Sequence, residues 1–145
     1  KEEFPMPMRA LSVMQAKRFG VWTIAPDADL KSVVRQMQDH NVSALVVVDE
    51  GGYLLGVITR TDLVRAAYQH QDWPMLMTRD YMARDVVTVR LEDKLEHVMG
   101  LLIENHIHRV VAVEDHGGRL KPVAVLSAAD ICYHLAQERT TSVPI

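Results

Sequence analysis

The sequence predicts a mixed α/β fold made of two copies of one β-α-β-β-α unit, and three observations carry that prediction. The stretch Gly56-Val57-Ile58-Thr59-Arg60-Thr61-Asp62-Leu63 returns as Ala124-Val125-Leu126-Ser127-Ala128-Ala129-Asp130-Ile131, an apolar strand end, a hydroxyl residue, two spacers and an Asp opening a helical pattern. The helical stripe Leu30, Val33, Val34 and Met37 returns 65 positions later as Leu95, Val98, Met99 and Leu102. The runs Ala44-Leu45-Val46-Val47-Val48 and Val110-Val111-Ala112-Val113 are continuously apolar and mostly β-branched, as in strands covered on both faces.

In order along the chain, Lys1 to Pro7 holds two prolines and reads as a lead-in. Met8, Leu11 and Met14, with Ala10 and Val13, suit a short helix before Gly20. Val21 to Ala25 is extended, and Pro26-Asp27-Ala28-Asp29 opens the first striped helix with acidic residues near its start. Each apolar strand runs into a turn, Asp49-Glu50-Gly51-Gly52 and Asp115-His116-Gly117-Gly118, the second predicted to be longer by three residues because the repeat offset moves there from 65 to 68. Helices are predicted from about Thr61 to His70 and from Ala129 to Gln137. Between the copies, Gln71-Asp72-Trp73-Pro74 breaks the pattern, with Trp73 as a packing residue, and Met77 to Arg84 is predicted to be a second helical lead-in. The boundaries that follow are a lead-in over 1–12, a first repeat over 13–72, a second over 73–137 and a polar, frayed tail over 138–145. Units of some sixty residues are too small to be robust alone, so the two are expected to share a core about a pseudo-twofold axis.

Composition narrows the function. A chain of 145 residues that is 48% hydrophobic and 24% charged is an ordinary globular protein. Its net charge of −3 gives no general attraction to nucleic acid or to an anionic membrane. No apolar run is long enough to span a bilayer and no secretory pattern opens the chain, so the expected location is cytoplasmic. Cys132, the single cysteine, is expected to be a buried reduced thiol in a stripe with Ile131 and Leu135. The first residue is Lys1 rather than Met, which reads as a piece of something longer.

Thr59-x-x-Asp62 and Ser127-x-x-Asp130 admit two readings. One is a capping box that opens a helix. The other is a ligand site: a helix start beside a strand end offers N–H groups to a phosphate, while the Asp, which repels phosphate, suits the paired hydroxyl donors of a ribose.

The paired acidic-Gly-Gly turns, the apolar strands and the two Thr/Ser-x-x-Asp units, in the same order with a short linker, resemble tandem CBS domains, the Bateman module, over nearly all of Met14 to Leu135. The resemblance implies repeats that pair through their sheets and no catalysis. It implies a role in binding AMP, ADP, ATP or S-adenosylmethionine, as in energy sensing, regulation of an attached or partner protein whose identity is unknown, and homodimers. For the better cleft it implies Asp130 on the ribose diol, Ser127 on phosphate, His108 and Arg109 nearby for phosphate charge, and Val42, Ser43, Val125 and Leu126 around the adenine. For the second cleft it implies Asp62 and Thr59 in those parts, Val57 and Ile58 at the base, and Ile107 and His108 opposite. Backbone near Met14 to Gly20 and Met82 to Val86 would close the entrances. Ala44 stands where the second repeat has Arg109, so the second cleft must draw a cation from Arg60 or a lead-in Arg, and Asp130 marks the better site.

Other chemistries fit less well. His106 and His108 are read as alternating on a strand entry with His97 a helix away, but no Cys or acidic partner joins them at zinc-ligand spacing, so no metal site is expected. Neither Ser43 nor Ser127 lies in Gly-x-Ser-x-Gly, and no Gly-rich phosphate loop is present, so no catalytic residue is assigned. The rival reading is a structural dimerisation or scaffold module with unliganded clefts.

Overall fold

The structure, a computed structural model, describes residues 7–138, so the expectation of a frayed tail lies almost wholly outside the described residues. Thr23–Ile24 (β1), Ala44–Val48 (β2) and Leu54–Thr59 (β3) form a sheet in the order β1-β2-β3, with β1 parallel and β3 antiparallel to β2. The parallel step needs a crossover, and helix α2 (Leu30–His40) supplies it. The Asp29 carboxylate accepts the Ser32 N–H at 2.8 Å to start α2, and Asn41, left-handed at φ 51°, ends it. Helix α3 (Arg60–Gln69) follows β3.

The second repeat returns the same order: β4 (Thr88–Arg90), α4 (Leu95–Glu104), β5 (Arg109–His116), β6 (Arg119–Ser127) and α5 (Ala128–Gln137), with the sheet ordered β4-β5-β6. Thr23 pairs with Val46 as Thr88 pairs with Val111, so register as well as order repeats. The predicted class, mixed α/β with two β-α-β-β-α repeats, is the observed one.

Four local expectations are corrected. The three extra residues of the second copy do not lengthen its turn. They lengthen β5 and β6, and only Gly117 and Gly118, at φ 67° and 91°, remain as a two-residue turn that needs positive φ at both places. His106 does not alternate with His108 on a strand: it sits at φ 52°, the counterpart of Asn41, and β5 begins only at Arg109. The lead-ins are not continuous helices. The first is a 3-10 turn (Met8–Ala10) and a one-turn helix α1 (Val13–Ala16) broken at Ser12, whose side chain caps α1; the second keeps only 3-10 turns at Trp73–Met75 and Thr78–Asp80, because the Thr78 and Arg79 N–H groups are drawn to the Ala28 and Pro26 carbonyls. Cys132 is exposed, since α5 turns Asp130 and Ile131 inward and carries the next side chain about 100° round.

The chain divides into two compact units that do not follow the repeats. One unit takes the described residues up to Gly20, Val87–Val113 and those from Val123; the other takes Val21–Val86 and Glu114–Pro122. In the first unit Val13 and Met14 donate to Asp93 and Leu91, and Met8, Val13 and Ala16 share a core with Leu95, Val98, Leu126 and Ile131. In the second, Thr78 and Arg79 make the corresponding bonds, and Met82 joins a core of Leu30, Val33, Met37, Leu45, Val47 and Ile58 against which Trp73 packs. Each lead-in therefore completes the repeat that it does not precede.

Candidate functional site

In the first unit, the Ser127 backbone is extended as β6 ends, and the Ala128 N–H donates to the His108 carbonyl at 3.0 Å, which ties the start of α5 to the entry of β5. Asp130 follows one turn in and is buried. Its Oδ2 accepts the Ser127 N–H at 2.8 Å and the Ser127 hydroxyl at 3.2 Å. Its Oδ1 faces the Arg18 guanidinium at 3.5 Å. That guanidinium lies 3.9 Å from the Tyr133 ring centroid and 5.0 Å from that of Phe19, within cation–π range.

The second unit builds the same corner. The Arg60 N–H donates to the Ser43 carbonyl at 3.1 Å, and Asp62 Oδ2 accepts the Thr59 N–H at 2.8 Å and its hydroxyl at 3.1 Å. Oδ1 is paired with Arg65 at 2.9 Å. One further contact differs. Ala83, 65 positions after Arg18, exchanges two backbone hydrogen bonds of 2.9 Å each with Val57, whereas among the described residues no backbone bond joins Arg18 to Val125. Gly56 makes that closure feasible, since a Cβ there would stand 2.5 Å from the Ala83 oxygen.

Several expectations change on this geometry. Both hydroxyls, Ser127 and Thr59, lie within hydrogen-bond reach of the neighbouring carboxylate, to which they can only donate. The cation beside Asp62 is Arg65, not Arg60. Of the lead-in arginines, Arg18 sits on Asp130 instead, because the first lead-in belongs to the other unit. Ile58 and Leu126 are core side chains, Val57 is nearly as buried, and Val125 is half-buried at the edge. His108 and Ile107 precede β5 in the Asp130 unit with Arg109, while Val42 and Ser43 precede β2 in the Asp62 unit.

Reading the sequence missed Arg65, Tyr133 and the placement of Arg18. The available signal was the repeat offset: Arg18 falls opposite Ala83, and Arg65 opposite Tyr133. Among the described residues no group of three or more His, Cys, Asp or Glu side chains is placed to hold a metal ion, and no helix is long and apolar enough to cross a membrane.

What each corner offers chemically is a buried carboxylate with one oxygen fixed by its own helix start and the other turned toward donors. That suits hydroxyl or guanidinium groups.

Comparison with known proteins agrees with the repeat structure. The CBS domain family model matches twice, at residues 11–69 and 79–137. An uncharacterised protein of Methanopyrus kandleri is 28% identical over 125 residues, 86% of this chain and 62% of that protein. An inosine-5'-monophosphate dehydrogenase of Nitrosopumilus maritimus is 27% identical over 115 residues, which cover 75% of this chain but only 23% of the enzyme. Among solved structures, the CBS domain pair of protein MJ0100 in complex with 5-methylthioadenosine and S-adenosyl-L-methionine superposes with a TM-score of 0.78 at 23% identity, covering 90% of this chain and 99% of that one. With two matched domains over most of its length and one β-α-β-β-α unit built twice, the chain belongs to the CBS domain family, as a tandem CBS pair.

Proposed function

We propose that this CBS pair is a regulatory module that binds an adenosine-containing ligand, AMP, ADP, ATP or S-adenosylmethionine, chiefly at Asp130, and passes the signal to an attached or partner protein. The observation that carries the reading is the Asp130 corner: a buried carboxylate with Oδ2 fixed by Ser127 and Oδ1 turned toward an exchangeable donor, beside a Val125 edge that, among the described residues, no lead-in backbone closes. A ribose diol supplies two donors for such a carboxylate, each charge-assisted bond contributing about 1.5–3 kcal/mol. Adenosyl compounds bound to the MJ0100 pair support that ligand class.

Arg109 and His108, at the entry of β5, are assigned to the phosphate or other charged part of the ligand. Val125 and Leu126 are assigned to the adenine through their backbone. Val42 and Ser43 stay in the proposal on the family resemblance alone, and the parts the resemblance gives Ile107 and His108 beside Asp62 are not carried into it. The same resemblance supplies the expectations of a homodimer and of regulation without catalysis, and the absence of a long apolar run or a secretory pattern in the sequence supplies that of a cytoplasmic location.

The scaffold reading gains one specific observation, and it concerns the other corner. The Val57 edge is closed by both Ala83 hydrogen bonds, so the Asp62 corner is assigned a structural part.

The test is a thermal melt of the purified, nucleotide-free chain with AMP, ADP, ATP, S-adenosylmethionine or NAD, and with GTP as control. A ligand at 100 times its dissociation constant adds about 2.7 kcal/mol, a shift of several degrees for a chain of this size. A shift with an adenosyl compound that is lost in Asp130→Asn upholds the reading. No shift with any of them hands the protein to the scaffold reading.

A further inference from the structure

Arg18 and Ala83 are counterparts in the repeat, yet they hold their segments by different means. Ala83 is fastened to Val57 backbone to backbone, two bonds that no bound molecule competes for through side-chain chemistry. Arg18 holds its segment by its side chain alone, through one 3.5 Å contact to Asp130 Oδ1 and its place over the Tyr133 ring. From the structure we infer that Arg18 is a displaceable stand-in for ribose: when a ribose diol takes Asp130 Oδ1, Arg18 gives it up and the Lys17–Gly20 segment is released. The inference rests on the adenosyl-ligand reading of the Asp130 site and adds how binding there is signalled.

The competition follows from donor and acceptor roles. A guanidinium and a diol both only donate to a carboxylate, and Oδ2 already takes two bonds from Ser127. Oδ1 is the oxygen that remains, and Arg18 meets it through one nitrogen at a distance longer than a charge-assisted hydrogen bond. At 30% side-chain exposure, the guanidinium also has water to return to.

The release has a defined extent. Upstream, Ala16 is buried, its carbonyl lies 2.6 Å from His134 Nε2, and the Lys17 N–H closes α1 on Val13. Those anchors do not involve Asp130. Downstream, Lys17 to Gly20 are exposed, Gly20 ends the first unit, and Val21 opens the second. The freed residues are therefore one of the four covalent passages between the units. At Asp62 the same exchange would move only Arg65, which lies on α3 itself, and no connecting segment would respond.

Lys17 and Arg18 are trypsin sites, which makes the release measurable in the intact chain. Adenosine and AMP serve as probes, the first because it carries ribose without phosphate. Saturating adenosine is expected to raise tryptic cleavage after Lys17 and Arg18, and amide exchange over 17–20, severalfold. Arg18→Gln is expected to be cleaved quickly after Lys17 with or without adenosine, and to bind adenosine up to about fivefold tighter, the gain on removing one long, partly exposed ion pair. Adenosine that binds through Asp130, as shown by its loss in Asp130→Asn, yet leaves cleavage and exchange over 17–20 unchanged or lowered, overturns the release and spares the ligand reading. Weaker adenosine binding by Arg18→Gln makes Arg18 a ligand contact and likewise overturns it. Binding of neither probe to either protein overturns the ligand reading, and the exchange with it.

Discussion

Arg65 and Tyr133 occupy the same place in their repeats, three residues after the site carboxylate, and so decide where each carboxylate finds its cation. Arg65 reaches back one turn to Asp62 at 2.9 Å. Tyr133 presents a ring instead, and Arg18 comes from the lead-in to lie over it and face Asp130. One corner is complete within its own helix, while the other depends on a separate stretch of chain.

The two carboxylates should therefore differ in ligand binding. Asp130→Asn is expected to weaken adenosyl-ligand affinity by about 100-fold or more, the loss of charge from two hydroxyl contacts, while Asp62→Asn leaves it within about twofold. Calorimetry on both variants checks this and should return one site per chain.

Gly56→Ala should destabilise the second unit by about 1–3 kcal/mol, because its Cβ has nowhere to go unless the Val57–Ala83 pairing parts. Gly100→Ala is the control. Its Cβ meets nothing within 4 Å, and an alanine inside α4 should add about 0.5–1 kcal/mol. Urea unfolding of the two variants should give opposite signs.

Leu95 has no exposed surface and lies in the core that holds Val13 and Ala16. Leu95→Ala should cost about 2–5 kcal/mol and speed exchange in α1 as well as in α4. Denaturant melts and exchange measurements on the same sample test both parts.

The Asp49 carboxyl is held below its ordinary value of 3.8 first by the Tyr53 N–H and then, against a smaller opposing effect of desolvation, by Arg119 and the Gly51 N–H. A carboxyl lowered in the fold stabilises it above the unfolded value, and that contribution is lost as pH falls through the lower, folded one. In an NMR titration the Asp49 carboxyl should therefore titrate below 3.8. Arg119→Gln, which removes a 2.8 Å ion pair, should bring it part of the way back.

How far the sequence reached depended on the kind of information involved. The period of Leu30, Val33 and Met37 and its return at Leu95 and Val98 disclosed both helices and the repeat, because periodicity reports which face is buried. It does not report against what, so the exchange of lead-ins was invisible. The hydroxyl-x-x-Asp spacing located both corners, yet the contacts of the Ser127 and Thr59 hydroxyls with their carboxylates appear only in the folded geometry. Arg109 drew attention because it stood beside the strand entry, whereas Arg18 was hidden by lying more than a hundred residues from the carboxylate it faces.

The exchange of lead-ins bears on inheritance. A gene fragment that encoded the second repeat alone would lack Met8, Val13 and Ala16, which its core needs, and one ending at His70 would lack Thr78 and Met82. Either half copied, shuffled or lost on its own would carry an incomplete core, so recombination and truncation are expected to treat the pair as a single cassette.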